Sequence, residues 1–567
     1  MESKTKKILA IGISGIVITS VILIVVFFPK PQESPGISFS VSIPDLTIDA
    51  SKPACNRTIN ISNYITPTLP TSQISISTNY TSAPWNSRIS IMETNLTFQT
   101  FNFPTNGYYS IKITVTFQGV SIDDEITVLL TGKNTWTWVS GNYSVDNYGT
   151  YGTKGVADPA NVPGAREYST SWTDTGNNLW LFGGDGFDNV SSGYLNDLWM
   201  FNVTTTTWTW VSGNYSCNNN GTYGTKGVAD ADNVPGARYD SASWTDSGSN
   251  LWLFGGYGFD NVSTGFLNDL WMFNVSDATW TWVSGDYLRN TLGTCGTKGV
   301  ADPDNVPGSR YSSASWMDAS GNLWLFGGYG YDNTSALAQM LNDLWMFNVT
   351  TSTWTWVSGN YLADNEGIYG TKGVADPDNV PGSRYSSASW TDAGSNLWLF
   401  GGTGIDNVSL GRLNDLWMFN VTTTTWTWVS GNYSRNNNGT YGTKGVADPD
   451  NVPGARESVA ASTDSGSNFW LFGGYGFDNV SASEAYMNDL WMFNLTDATW
   501  TWVSGNYSNS NLGRYGTKGV ADPDNVPGAR YDSTSWADAG SNLWLFGGSG
   551  YDNVTDGNLN DLWKYTP

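Results

Sequence analysis

From Asn134 to the end of the chain, apolar and aromatic positions fall in short bursts separated by runs of Gly, Asn, Asp, Ser and Thr. Each burst has the length of a strand and is too short for a helix. In one stretch the pattern predicts four antiparallel strands: Arg238 to Trp244, rich in small residues, then Asn250 to Gly256, Leu267 to Val275 and Thr279 to Val283. Several of these are apolar on both sides instead of alternating, as expected of a sheet covered on both faces. The pattern returns every 72 to 74 residues, marked by Arg166, Arg238, Arg310, Arg384, Arg456 and Arg530. Its fourth-strand words also stand alone at Asn134 to Gly141, N-T-W-T-W-V-S-G, with no L-N-D-L-W before them. Conversely, Leu559 to Trp563 is followed only by Lys-Tyr-Thr-Pro. Asn134 to Gly141 is therefore predicted to complete the sheet of Arg530 to Tyr565 and close a ring, which leaves no free sheet edge.

The first 131 residues read differently. Residues 1–7 carry Lys4, Lys6 and Lys7, and residues 8–28 form an apolar run interrupted only by Ser14, Thr19 and Ser20. As a helix this run spans roughly 31 Å, enough for a bilayer core of about 30 Å. It is predicted to be a retained transmembrane signal-anchor with a cytoplasmic stub, lysine end inside. Residues 29–36 form a Pro-containing linker, and everything beyond Pro29 then lies outside the cell. Residues 37–131 alternate with period two. The clearest strands are Ile74 to Ser77, Ser87 to Thr94 and Tyr109 to Phe117, with a turn at Gln118-Gly119 and a return through Ile126 to Leu130. About seven short strands suit a small β-sandwich. Gly107 to Ile113 resembles the penultimate strand of Ig-like and PKD-like modules, which implies a spacer domain.

In residues 132–567 the recurring words carry a stronger resemblance. Gly-Gly doublets at 183–184, 255–256, 327–328, 401–402, 473–474 and 547–548 end the second strands, N-D-L-W opens the third, and a Trp follows some 24 residues beyond the doublet. These features resemble kelch repeats. The resemblance implies an all-β chain built as a six-bladed kelch-type β-propeller, here with the small Ig-like sandwich and one transmembrane helix before it. Within such a ring Trp199, Trp208 and Trp210 are core residues, and small first-strand residues such as Ser241-Ala242-Ser243 face the crowded axis. Two connections leave the same end of a four-strand meander: one of about ten residues, such as Tyr257 to Phe266, and one of more than twenty, such as Ser212 to Pro235. Long loops in a compact domain carry function, so recognition is assigned to that face.

Composition narrows the chemistry. The formal charge of −24 disfavours nucleic acid and favours cations or basic surfaces. There is no histidine, which removes the commonest general base and metal ligand. The kelch resemblance extends to a copper oxidase branch similar to galactose oxidase, whose site needs histidine and is not carried over. Six near-identical loops supply like residues, whereas catalysis needs unlike ones, so no enzyme and no catalytic residue is assigned. Cys55, Cys217 and Cys295 contain no C-x-x-C pair. Repeat alignment sets Cys217 opposite Arg289 and Cys295 opposite Tyr223 in neighbouring loops, and a disulfide between them stays open.

Three acidic series remain. Asp376, Asp378, Asp448 and Asp450 lie in blade-to-blade loops, Asp448 and Asp450 within T-K-G-V-A-D-P-D-N-V-P-G-A-R, and are read either as calcium ligands or as hydrogen-bonding ties of a proline-stiffened loop that join adjacent blades. Asp188, Asp260, Asp332, Asp406, Asp478 and Asp552 lie in the second-to-third connections, as candidate binding-face residues or as turn-forming Asp. Asp197, Asp269, Asp343, Asp415, Asp489 and Asp561 belong to N-D-L-W and are read as structural. N-x-S/T sequons number 21, and those at Asn142, Asn189, Asn202, Asn214, Asn220, Asn261, Asn274, Asn333, Asn348, Asn407, Asn420, Asn432, Asn438, Asn479, Asn494, Asn506 and Asn553 are candidate glycosylation sites. The resulting expectation is a single-pass, membrane-anchored extracellular binding or adhesion protein, its partner a surface glycan or a protein. A structural coat subunit and a carboxylate-based glycoside hydrolase are the alternatives.

Overall fold

A computed structural model describes residues 134–567 except Ala336 and Ala482, together with the backbone of the strands between 38 and 131. Residues 8–28 lie outside the described residues, and among those described no helix is long and apolar enough to cross a membrane. The chain divides into two compact units, one comprising residues 1–137, 519–525 and 565–567, the other residues 138–518 and 526–564.

In the first unit, Leu46–Asp49, Val120–Thr131, Gly107–Phe117 and Ser75–Thr78 form a four-stranded sheet, and Asn56–Asn60, Asn95–Gln99 and Ile89–Met92 a three-stranded one. The hairpin predicted at Gln118-Gly119 closes with Phe117 opposite Val120. Leu46–Asp49 runs parallel to its neighbour, which alternation alone does not signal.

The second unit is built from the repeats. In the second repeat Arg238–Tyr239 and Ala242–Thr245 pair with Leu251–Phe259, which pairs with Thr264–Asn274, which pairs with Thr279–Ser284. The innermost segments, Thr170–Thr173, Ala242–Thr245, Ala314–Met317, Ala388–Thr391, Ala460–Thr463 and Thr534–Ala537, neighbour one another in a closed circle. They surround a central cavity of about 400 Å³ lined by Ser171, Ser243, Ser315, Ser389 and Ser535. Small side chains stand at the axis as the sequence predicts, but they leave a cavity there and not a crowded centre.

The core lies between sheets. Leu179, Leu181, Trp199 and Trp208 of the first blade pack with Trp536, Trp544 and Phe546 of the last in one buried cluster. Such burial contributes about 25 cal/mol per Å² of apolar surface, and aromatic residues supply most of it. Indole hydrogen bonds add direction: Trp172 Nε1 donates to the Trp252 carbonyl of the next blade at 2.9 Å, and Trp536 Nε1 to that of Trp180 at 3.0 Å.

The last sheet runs in the order Thr135–Ser140, Leu562–Thr566, Leu543–Phe546, Thr534–Ala537, so the N-terminal strand completes it as the sequence predicts. Lys518 Nζ donates to the Gly141 carbonyl at 2.5 Å and lies 4.3 Å from the Trp138 ring centre.

Two expectations are corrected. In the first four repeats the Gly-Gly doublet does not end the second strand, whereas in the last two Phe469–Phe472 and Leu543–Phe546 stop just before it. Gly183 and Gly184, at φ +62° and +102°, form a bulge where the register shifts, and pairing resumes to Phe187. Side chains other than glycine are strained there, and a Cβ on Gly183 would stand 2.6 Å from the Arg238 carbonyl. In consequence the second-to-third connection of the second repeat is not a ten-residue loop: Phe259 pairs with Thr264 and leaves only residues 260–263 as the turn, whereas residues 331–338 and 477–484 lie between the last pairs of the third and fifth repeats.

Candidate binding face

The second-to-third turns and the blade-to-blade loops leave the same end of the second unit, which is the loop face. At its centre, Tyr168, Asp240, Ser312, Ser386, Ser458 and Asp532 sit between the two pieces of each first strand. All six have positive φ, between +51° and +57°. Each backbone N–H donates to the carbonyl of the preceding one, from Asp240 to Tyr168 at 2.9 Å through to Tyr168 back to Asp532 at 3.1 Å, giving a closed ring of six hydrogen bonds. Left-handed backbone at a non-glycine residue is costly and collects at functional sites.

The side chains around this ring are unlike. Glu167, Tyr239, Tyr311, Tyr385, Glu457 and Tyr531 occupy the preceding position in successive blades. Tyrosine rings form a belt: Tyr168 lies 5.4 Å from Tyr239 and 6.4 Å from Tyr531, and Tyr239 lies 6.0 Å from Tyr311. Arg412 sits 5.2 Å over the Tyr475 ring and pairs with Glu457 at 3.0 Å and Glu484 at 3.3 Å. The Ser312 hydroxyl donates to Asp240 Oδ2.

Burial pushes the Asp240 carboxyl up to about 7, with the Glu457 charge adding and the Ser312 hydroxyl opposing. Burial, reinforced by Asp185, likewise raises Glu167 to about 7 against the Tyr531 and Ser549 hydroxyls. Asp532 is pushed well above the carboxylate range by burial and then by the Asp240 charge.

A second constellation repeats in every blade, with one tyrosine replaced by Cys295 in the third. Arg166 donates through Nη1 and Nη2 to Asp197 at 2.7 and 2.8 Å, Tyr151 Oη to the same carboxylate at 2.6 Å, and Trp199 Nε1 at 2.7 Å. The N-D-L-W aspartates are therefore buried structural anchors, and the arginine side chains pair within their own blades, while the Arg166 backbone amide donates to the Leu559 carbonyl of the last blade at 3.0 Å. The preceding asparagine, to which the sequence pattern assigns no role, ties the next loop: Asn196 Nδ2 donates to the Pro235 carbonyl at 3.1 Å and its Oδ1 accepts from Asn214 N at 3.2 Å.

Residues 286–441 and 371–521 match the model of the KLHDC2/KLHL20/DRC7 Kelch-repeats domain. A kelch-type β-propeller is what the match and the repeated four-stranded sheets support. Among solved structures, the chain is similar to a fungal alcohol oxidase of the AA5 family in complex with copper, at 12% identity over 74% of this chain and 77% of that one, TM-score 0.39. It is also similar to a protein of unknown function from Bacteroides thetaiotaomicron, at 10% identity over 88% and 92%, TM-score 0.38. A quinoprotein alcohol dehydrogenase-like protein from the same organism gives 7% identity over 92% and 96%, TM-score 0.32. Likeness at these levels carries no functional argument.

On the propeller the second acidic series is not a contact surface. Asp188, Asp260, Asp332, Asp406, Asp478 and Asp552 are buried. Asp188 Oδ1 accepts from the Val190 and Ser191 amides at 2.6 Å and Oδ2 from the Cys217 amide at 2.9 Å. Beside polar residues such as Asn189 and Ser191, these turns expose Val190, Val262, Val408, Val480 and Val554, each 67% to 74% exposed. The opposite face exposes polar turns such as Thr204 to Thr206.

Asp448 Oδ1 accepts from the Asp450 amide at 2.9 Å, as Asp376 does from Asp378, so these residues shape their loops. Among the described residues no three His, Cys, Asp or Glu side chains gather closely enough to hold a metal ion. Cys217 and Cys295 are not joined; both are free thiols, Cys295 buried.

The axial residues escape a sequence reading that judges each repeat by what it shares. The signal is present in what differs: after the six arginines the chain reads Glu-Tyr, Tyr-Asp, Tyr-Ser, Tyr-Ser, Glu-Ser and Tyr-Asp. The expectation that equivalent positions supply only like residues fails at the axis.

Proposed function

We propose that this chain is a binding protein whose propeller engages a protein partner through its loop face. The supporting observation is the rim of exposed valines at Val190, Val262, Val408, Val480 and Val554, set on one face only. Aliphatic side chains gain by covering apolar protein surface, which makes a protein a better fit than a polar glycan. In this reading residues 8–28 anchor the chain in a membrane, residues 37–131 form an Ig-like spacer, and the propeller meets its partner outside the cell. The glycosylation candidates then lie in the accessible compartment, and the chain binds without catalysing a reaction.

The test uses the full chain in detergent or nanodiscs, screened against cell-surface proteins and glycans. Capture of a protein, lost when the five rim valines are changed together to Ser, supports the reading. Equal capture by that variant, capture of glycans alone, or chemical conversion of the captured molecule overturns it. Retention of the chain in alkaline-extracted membranes, abolished by deleting residues 1–28, supports the anchor.

A further inference from the structure

In five of the six repeats the inner strand carries a tryptophan that leans on the next blade. Trp172, Trp244, Trp316, Trp390 and Trp536 are buried, and each donates its Nε1 proton to the carbonyl of the second-strand tryptophan there, at 2.9 to 3.3 Å. Each also shares a buried cluster with two side chains of that blade, as Trp172 does with Leu251 and Leu253, and Trp536 with Leu179 and Leu181. The fifth repeat breaks the series. Ser462 pairs with Trp470 at the register where Trp172 pairs with Trp180, so an indole is missing between the fifth and sixth blades.

The neighbours have not closed over its place. Leu543 and Leu545, the pair that an indole at 462 would cover, are 5% and 2% exposed, whereas their equivalents in the other five blades are all 0%. Phe472 is 4% exposed against at most 1% for its equivalents, one of which, Phe182, lies 6.5 Å from Trp172. Ser462 itself is half-buried and lines the axial cavity. Its hydroxyl oxygen, shut away from solvent, has no hydrogen-bond partner, so it does not take over the missing bond to the Trp544 carbonyl. A gap thus opens from the axial cavity into the seam, with leucine and phenylalanine on its walls and one carbonyl acceptor.

The five filled seams define what fits: an uncharged, flat aromatic ring system with one N–H donor. An apolar void of about 150 Å³ stays dry and admits a benzene ring, so a gap left by an indole is of the right order for such a ligand. We propose that the seam between the fifth and sixth blades, entered from the axial cavity, binds an indole ring whose N–H donates to the Trp544 carbonyl. Free indole and the side chain of a tryptophan present the same ring. Ser462 stands four residues beyond Ser458 of the hydrogen-bonded ring, so the site lies along the axis behind the loop face and does not depend on the partner reading.

The experiment is equilibrium dialysis of the full chain against indole, Nα-acetyl-tryptophan amide or benzofuran, which has the shape of indole without the N–H. Ser462→Trp, which fills the seam with an indole of its own, is run in the same detergent, and binding is the uptake in excess of that variant. If Ser462→Trp does not fold, Ser462→Phe supplies the comparison. The wild type should take up one indole per chain in excess, and benzofuran about fivefold more weakly, the loss of one hydrogen bond. Tighter binding of the tryptophan amide points to a side chain as the source, and tighter binding of indole to a small molecule. No excess uptake by the wild type, or benzofuran bound as tightly as indole, overturns the assignment. Partner capture that is unchanged by Ser462→Trp leaves the rim reading standing whichever way the dialysis falls.

Discussion

Asn525 donates through Nδ2 to the Trp136 carbonyl at 3.1 Å, joining residues 389 apart in the chain. The same bond elsewhere joins neighbours, as between Asn161 and Trp208 or Asn379 and Trp426, each 47 apart. The last blade thus repeats the internal contact of the others with its outer strand drawn from the far end. Deleting Thr135 to Ser140 removes that strand and bares a sheet edge, so the variant should aggregate and lose its cooperative melt. Size-exclusion and calorimetry decide it; an unchanged monomer melting at the same temperature contradicts the closure.

The Arg166–Asp197 pair is bidentate with both side chains fully buried. Breaking such a pair strands a charge, and Arg166→Met should cost about 3–5 kcal/mol. Replacing both partners with apolar residues should cost less than the single change. Urea midpoints check this; a loss below about 1 kcal/mol for the single change means the pair is dispensable.

Cys295 is the exception in another series. Tyr151, Tyr223, Tyr369, Tyr441 and Tyr515 each donate a hydroxyl to the buried aspartate of their blade, at 2.5 to 2.6 Å. Cys295 stands at that place in the third repeat and leaves Asp343 without the hydroxyl. Cys295→Tyr should restore the bond and fill the space, raising stability by about 0.5–2 kcal/mol. A lowered melting midpoint shows that the site has closed around the thiol.

The buried axial acids give stability an unusual slope. Asp240 and Glu167 titrate near 7 in the folded chain and in the ordinary carboxylate range when unfolded. Between these values the native state holds more protons, so stability falls as pH rises and levels off above about 7. Asp188, Asp260, Asp332 and Asp478 are held below the usual range, the Asp188 case by backbone amides of Val190, Ser191 and Cys217 overcoming burial. They act oppositely, and their contribution is lost as pH falls below the carboxylate range. The chain should accordingly be more stable at pH 5 than at pH 8. Asp240→Asn should flatten that difference, read from urea midpoints at the two values. Glu457, Asp532, Glu167, Tyr168, Tyr239 and Tyr311 surround the same site, so the flattening is partial. Identical slopes remove Asp240 as a source.

Much of the architecture was legible because the repeat displays it six times. The Trp and Leu positions mark strands covered on both faces, and the stray N-T-W-T-W-V-S-G marks the closing strand. The reach of those strands was not legible. Gly183-Gly184 reads as a stop, yet a bulge lets the ladder continue, because two glycines accept positive φ while the hydrogen bonds beyond them re-form. Asp188 reads either as a binding-face carboxylate or as a turn former, and the sequence does not show that amides of its own turn and of the following loop fold over it.

Residue order alone determined that six like sheets close with a borrowed strand, since period, strand length and apolar pattern are local properties copied down the chain. Only the tertiary structure decided where the differences between copies meet. Glu167, Asp240 and Asp532 belong to the first, second and last repeats, and rotation about one axis brings them together. Burial there changes their acidity, which cannot be read from a side chain by itself.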